Sequence, residues 1–185
     1  MEYVKLGNSD LRVSQICLGC MGFGDPTIGQ HSWTIGEEPT REIIRRSLDL
    51  GVNFFDTAIA YQLGTSEQYV GRALHDMAKR PDETSKRQQE DAFMHFKYDA
   101  TAKQDNLVVE RVVKLADRYG VEMTQISLAW LLTKVESPIV GATKLHHIEE
   151  AVKSLDVRLT DDDIRYLEEP YVPHNLSGVM AVNMY

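Results

Sequence analysis

Two groups of residues in this chain have the types and spacing to do chemistry. The first is Asn53-Phe-Phe-Asp-Thr-Ala-Ile-Ala-Tyr61. Three uncharged residues run into the carboxylate of Asp56, a turn of small residues follows, and the phenol of Tyr61 comes five residues after the acid. Gly64 then precedes Thr65 and Gln68, which are spaced as a capping box that opens a helix. The pattern predicts a buried strand whose C-terminal end delivers an acid, a loop that delivers a phenol, and then a helix. In parallel α/β folds, proton-handling groups sit at that end of the strands and on the loops that follow. The same residues also suit a plainer role, with Asp56 as a turn cap and Tyr61 as packing.

The second group is Ile139-Val-Gly-Ala-Thr-Lys144, with His147 and Glu150 close behind. It predicts a short buried strand over Pro138–Gly141, a small-residue turn and a helix N-terminus with a cation at the join. Backbone N–H groups, the helix dipole and a lysine together suit a phosphate. In an ordinary strand-to-helix connection, Gly141 and Thr143 would serve geometry and capping alone.

Cys17 and Cys20 are the only cysteines. A redox C-x-x-C opens a helix, whereas the breaker-rich Met21-Gly-Phe-Gly-Asp-Pro26 follows this pair. In extended chain their odd separation points the sulfurs to opposite faces, and no second pair completes a metal site. Buried, reduced thiols are expected.

The elements that must position these groups follow from turn signals and periodicity. Tyr3–Leu6 and Leu11–Ser14 flank the turn-rich Gly7-Asn8-Ser9-Asp10 and predict a hairpin. Ile16–Leu18 is an expected buried strand ending at Gly19, and residues 22–38 an expected long loop of the kind that usually serves function. Its glycines are not in dinucleotide-fingerprint order. Helices are expected from Pro39 to Leu50, stopped by Gly51, and from Ser66 to about Ala78, with Val70, Ala73, Leu74 and Met77 on one face. Strand, helix, strand, helix implies a parallel sheet. From Lys79 to Asn106 charges crowd and apolar residues thin, which predicts a solvated excursion. Further helices are expected around Val108–Tyr119, from Thr124, from Thr143 or Lys144, and from Thr160, the last with three aspartates in its first turn. The nearly all-apolar Ile126–Leu132 predicts a helix packed on more than one side.

The totals bound the rest. A length of 185 residues suits one domain, residues 1–185, in which 1–78, 79–106 and 107–185 are distinct sections. A net charge of −8 and a pI near 5.2, with no basic stripe, disfavour nucleic acid as a partner. No apolar run approaches a membrane span and no signal pattern opens the chain, so a soluble cytoplasmic protein is expected.

Three stretches together carry a resemblance: Leu18-Gly-Cys-Met-Gly-Phe-Gly24, then Phe-Phe-Asp56-Thr-Ala with Tyr61 and Gly-Thr-Ser-Glu-Gln-Tyr-Val-Gly-Arg-Ala-Leu74 behind it, and finally Ser127-Leu-Ala-Trp-Leu-Leu132 through Pro138-Ile-Val-Gly-Ala-Thr-Lys144. In content and order they resemble the aldo-keto reductase family, in particular bacterial and fungal members that reduce small aldehydes and ketones with NADPH. The resemblance implies a (β/α)8 TIM barrel, with the strand ending at Asp56 as its second and the one ending at Gly141 as its eighth. It also implies hydride transfer from NADPH to a carbonyl, with a tyrosine as proton donor, a lysine lowering its pKa, an aspartate holding the lysine and a histidine orienting the carbonyl. By motif, Asp56 and Tyr61 take two of these catalytic roles. Gly19, Cys20 and Met21 match a loop near the nicotinamide, and Gly141, Thr143 and Lys144 the segment that meets the adenosine 2′-phosphate. His147 stands where a glutamine is common, and Glu150 matches an adenine-side contact. Lys144 replaces a more usual arginine, which keeps the charge and loses the fork.

One departure matters. Such barrels run to about 250 residues, and the shortfall is concentrated after Ala78, where the third to seventh strands would lie with the catalytic Lys and His. His95 and Lys97 sit on the excursion rather than at strand ends, which disfavours them as substitutes. Strands eight, one and two are neighbours in a closed barrel, so what remains is one sector of wall, an incomplete barrel with two open edges. Three explanations stand open: a central part absent only from this sequence, an internal deletion whose edges are covered by a second copy in a homo-oligomer or by another chain, and a remnant that folds poorly. The resemblance therefore carries two functions, a reductase and a catalytically impaired NADPH-binding or partner-binding module.

Overall fold

The structure, a computed structural model, describes residues 1–29, 31–78 and 102–172. Most of the charged stretch, with His95 and Lys97, and the tail from residue 173 lie outside the described residues.

Strands β1 (Tyr3–Lys5) and β2 (Arg12–Ser14) pair antiparallel with Val4 opposite Val13, as the turn chemistry between them requires. The central strand of the second sheet is β3 (Cys17–Gly19), fully buried along its length. It is flanked in parallel by β4 (Phe55–Asp56) on one side and β5 (Ile139–Gly141) on the other, and neither is buried as expected, β4 being half-buried and β5 largely exposed. The order β4-β3-β5 is the one expected for the second, first and eighth strands of a barrel.

β4 is shorter than the apolar run before Asp56 suggested. Asn53 is diverted into side-chain bonds: its Oδ1 accepts from the Ser14 N–H at 2.7 Å and its Nδ2 donates to the Arg12 carbonyl at 3.0 Å. Its backbone N–H donates to Ser14 Oγ at 3.2 Å, so the approach to β4 is spliced onto the hairpin instead of extending the sheet.

Helices α1 (Glu37–Asp49) and α2 (Thr65–Met77) cover one face of the sheet together with α5 (Leu145–Lys153). Alternation along β3 puts Ile16, Leu18 and Cys20 on the helix side, where they meet Ile43, Ile44, Val70, Ala73 and Ile148 in one core. Cys17 is outside that cluster; both cysteines are free and buried, as expected. α1 ends where Gly51 takes φ +87°, a left-handed position that glycine adopts without cost.

Two expected helix starts are corrected. Thr65 and Gln68 do not form a capping box. Gly64 is the N-cap, and the Thr65 hydroxyl instead donates to the Gln62 carbonyl at 2.7 Å and accepts from the Asp25 N–H at 3.0 Å. The long loop has recruited the hydroxyl. Thr124 likewise does not cap α4 (Met123–Leu131). Glu122 does, and its N–H donates to Gln125 Oε1 at 2.8 Å.

Helix α3 (Ala102–Tyr119) is closed by Gly120, and α6 (Asp161–Glu168) opens on Thr160 as expected, its hydroxyl accepting the Asp163 N–H at 3.2 Å. Asp163 also pairs with Arg118 and accepts from the Tyr119 hydroxyl, tying α6 to α3. A second core joins Val112, Leu115, Ala116, Ile126 and Leu167. α4 serves both cores, Leu128 and Leu131 facing the sheet core and Ile126 and Trp130 the second one, which is why its sequence is apolar nearly all round. Among the described residues, no helix is long and apolar enough to cross a membrane.

Candidate active site at the strand ends

The three parallel strands end level. Gly19 lies in register with Asp56 on one side and Gly141 on the other. Neighbouring strands lie about 4.8 Å apart, so both chemical groups picked out in the sequence stand at one end of one sheet, roughly 10 Å apart.

The acid side is held from the backbone outward. The Cys20 N–H donates to the Asp56 carbonyl at 2.8 Å, and the buried Ser66 Oγ donates to the Cys20 carbonyl at 2.7 Å. The first turn of α2 is thereby fixed to the strand ends. The half-buried carboxylate of Asp56 makes no hydrogen bond or ion pair with any described residue. Tyr61 follows on a tight turn, its N–H donating to the Ala58 carbonyl at 3.0 Å. Its half-buried phenol is pushed above the ordinary tyrosine value, first by burial, then by Asp56 and Cys20. Among the described residues no cation offsets this shift.

On the other side, β5 leads through buried Ala142 into α5. Lys144 occupies the N-cap, exposed, and among the described residues no side chain caps the helix. The Thr143 N–H donates to His147 Nδ1 at 3.4 Å. The His147 ring is held below the usual histidine range by burial, then by His146 and Lys144. Glu150 is ion-paired with Lys153 at 2.7 Å. A cavity of about 830 Å³ between α4, β5 and α5 is lined by Thr124, Ser127, Val140, Gly141, His147 and Glu150.

The loop after β3 closes the gap between the two sides. A Cβ on Gly19 would meet Ile139 Cγ2 at 2.8 Å, and one on Gly22 would meet Thr143 Cγ2 at 2.8 Å. These glycines permit β3 and its loop to lie against β5. Met21 is half-buried there, while the Cys20 thiol turns into the core, so Cys20 meets this space through its backbone. Burial, then Cys17 and Asp56, push the Cys20 thiol up to about 12. Two residues that sequence reasoning missed also shape the site: Gln62, buried and with φ +48°, and Ser66. Nothing in sequence spacing marks Gln62, because its partners lie about thirty residues away. Among the described residues, no group of three His, Cys, Asp or Glu side chains could hold a metal ion.

Comparison with known proteins bears on the same residues. The model of the Aldo/keto reductase family matches residues 15–107 and 80–171. Versiconal hemiacetal acetate reductase of Aspergillus parasiticus is 34% identical over 141 residues, covering 75% of this chain and 38% of that protein. The aldo-keto reductase dtxS3 of Metarhizium robertsii is 39% identical over 71 residues, 38% of this chain and 19% of that one. The chain thus spans well under half the length of these relatives. The crystal structure of a thermostable aldo-keto reductase in complex with the inhibitor epalrestat superposes with a TM-score of 0.66 at 16% identity, over 92% of this chain and 100% of the other.

Proposed function

Because the chain belongs to the aldo/keto reductase family, we propose that its strand-end site binds NADPH and serves the reduction of a small aldehyde or ketone. The observation that carries this is the register of Asp56, Gly19 and Gly141, which sets a phenol-bearing loop and a lysine-bearing helix start on one rim.

The residues present fit such a cofactor. Thr143 and Lys144 lead into a helix whose first N–H groups are capped by no described side chain, and a lysine cation stands beside them, the donor set a phosphate needs. The bare α-carbons of Gly19 and Gly22 let the loop lie close to β5. In this reading Gly19, Cys20 and Met21 border the nicotinamide, with Cys20 doing so through its backbone. Gly141, Thr143 and Lys144 hold the 2′-phosphate side, and His147 and Glu150 the adenine side. NADPH, when bound, supplies a hydride to the carbonyl carbon. Tyr61 gives its Oη proton to the carbonyl oxygen as negative charge builds there, yielding an alcohol. Asp56 would hold a cation beside Tyr61, and that cation is the piece the described residues lack.

One observation favours a second reading. A phenol raised above its ordinary value beside a carboxylate that pairs with no described residue is a weaker acid than the reaction wants, because the phenolate left behind would face Asp56. A module that binds NADPH without turning it over fits that electrostatics. The test is loss of NADPH absorbance with a small aldehyde, run with Tyr61→Phe, beside isothermal titration of NADPH. Turnover abolished in Tyr61→Phe supports the reductase. Binding without turnover selects the module, and no binding by the folded chain removes both.

A further inference from the structure

We propose that Gln62 is a positioning residue, which holds residues 25–29 and 31–34 across the site so that the indole of Trp33 forms a flat wall for the bound nucleotide. This rests on the nucleotide reading of the site given above.

Gln62 is 2% exposed, and among the described residues its side chain hydrogen-bonds the loop alone. Its Nε2 donates toward the carbonyls of Asp25 (2.9 Å), Ile28 (2.8 Å) and His31 (3.0 Å) and toward Thr34 Oγ1 (3.1 Å). Its Oε1 accepts the His31 N–H at 3.1 Å. Serving those acceptors and the His31 N–H together takes a side chain with both an amide N–H₂ and a carbonyl, its two N–H protons shared among the four acceptors. The loop is shaped around it: a Cβ on Gly24 would meet Gln62 Cβ at 2.5 Å, and one on Gly29 would meet Gln62 Oε1 at 2.7 Å. The backbone is bent to deliver it. Gln62 takes φ +48° and Leu63 φ +52°, left-handed positions that glycine fills more cheaply. A strained backbone is kept here together with a buried amide immediately after Tyr61.

The loop so held ends at the nucleotide corner. The Trp33 ring comes within 3.6 Å of the position a Gly22 Cβ would occupy, a point also approached by the Thr143 methyl and, at 3.7 Å, by the Ala142 carbonyl. Trp33 remains 49% exposed and packs on the His31 ring at 5.3 Å between centroids. An exposed indole standing beside Gly22 and the start of α5 is a stacking surface. Gln62 thus couples the phenol-bearing turn to the aromatic wall, residue next to residue.

The test uses the full chain with Trp130→Phe, which leaves Trp33 as the only tryptophan. In that background Gln62→Gly relieves the backbone and removes the amide, and Gln62→Met keeps the length without the hydrogen bonds. We expect both to make Trp33 more accessible to acrylamide and to weaken NADPH binding by titration about tenfold, at a temperature where circular dichroism shows the wild-type helix content. A merely structural role would lower the unfolding midpoint and leave both readouts unchanged in the folded protein. NADPH binding by the parent chain that persists in either folded variant overturns the inference alone. No binding by the parent chain overturns the nucleotide reading, and the inference with it. Failure of both variants to fold makes Gln62 a folding residue and also overturns it.

Discussion

The Tyr61 phenol lies within the field of the Asp56 carboxylate, and the described residues bring no cation between them. Burial and Asp56 both favour the neutral phenol, so Tyr61 titrates above the ordinary tyrosine value. In the proposed reaction Tyr61 would act as a neutral acid whose conjugate base no described residue stabilises.

Tyr61→Phe removes only the hydroxyl. We expect it to lower the rate of aldehyde reduction by about 10²-fold or more while leaving the dissociation constant for NADPH unchanged. Steady-state rates and isothermal titration on the same preparation check this. Equal rates for both proteins would remove Tyr61 as the proton donor.

Lys144→Ala takes the cation from the start of α5, where it is exposed and in no ion pair with a described residue. We expect NADPH affinity to fall about tenfold, or ~1.4 kcal/mol, with NADH affinity little changed, since only NADPH carries the 2′-phosphate. Titration with both nucleotides at low and high salt measures it. The NADPH preference should shrink as salt screens the charge.

Gly24→Ala tests the loop's packing. Gly24 has φ +134°, and a Cβ there would lie 2.5 Å from Gln62 Cβ, a collision between two short, stiff attachments. We expect a loss of about 1–3 kcal/mol, read as a lower urea midpoint. Gly71→Ala, on α2 with open space around it, should be neutral or stabilising.

Alkaline pH should weaken the fold through its buried thiols. Burial first, and then Asp56, raise Cys17 from 9.0 to about 11, and Cys20 stands at about 12. Between pH 9 and those values the folded state keeps protons that the unfolded chain releases, so stability is intact below pH 9 and falls as pH rises. The slope is ~1.4 kcal/mol per pH unit for each thiol. Urea midpoints from pH 8 to 10.5 should show it, with a shallower decline in Cys17→Ala. At pH 7.5 neither thiol should react with iodoacetamide until the chain unfolds.

Residue types and spacing alone determined much of this protein. The hairpin, the parallel strands, the glycine helix stops at Gly51 and Gly120, and the Thr160 cap are local or periodic, so they are legible in the chain itself. The motifs around Asp56, Tyr61 and Lys144 were legible for the same reason, since each is a short run at a strand end. The family resemblance implied that the strands carrying these runs are neighbours, and the tertiary structure decided their register and the side-chain bonds around them. It set Asp56, Gly19 and Gly141 level, because register is fixed by pairing between strands far apart in the chain. It also took the Thr65 hydroxyl from its expected cap to the Asp25 loop, and it made Gln62 the hub of that loop through partners about thirty residues away. A hydroxyl or amide bonds whatever the fold brings near, and that choice has no signature in sequence spacing.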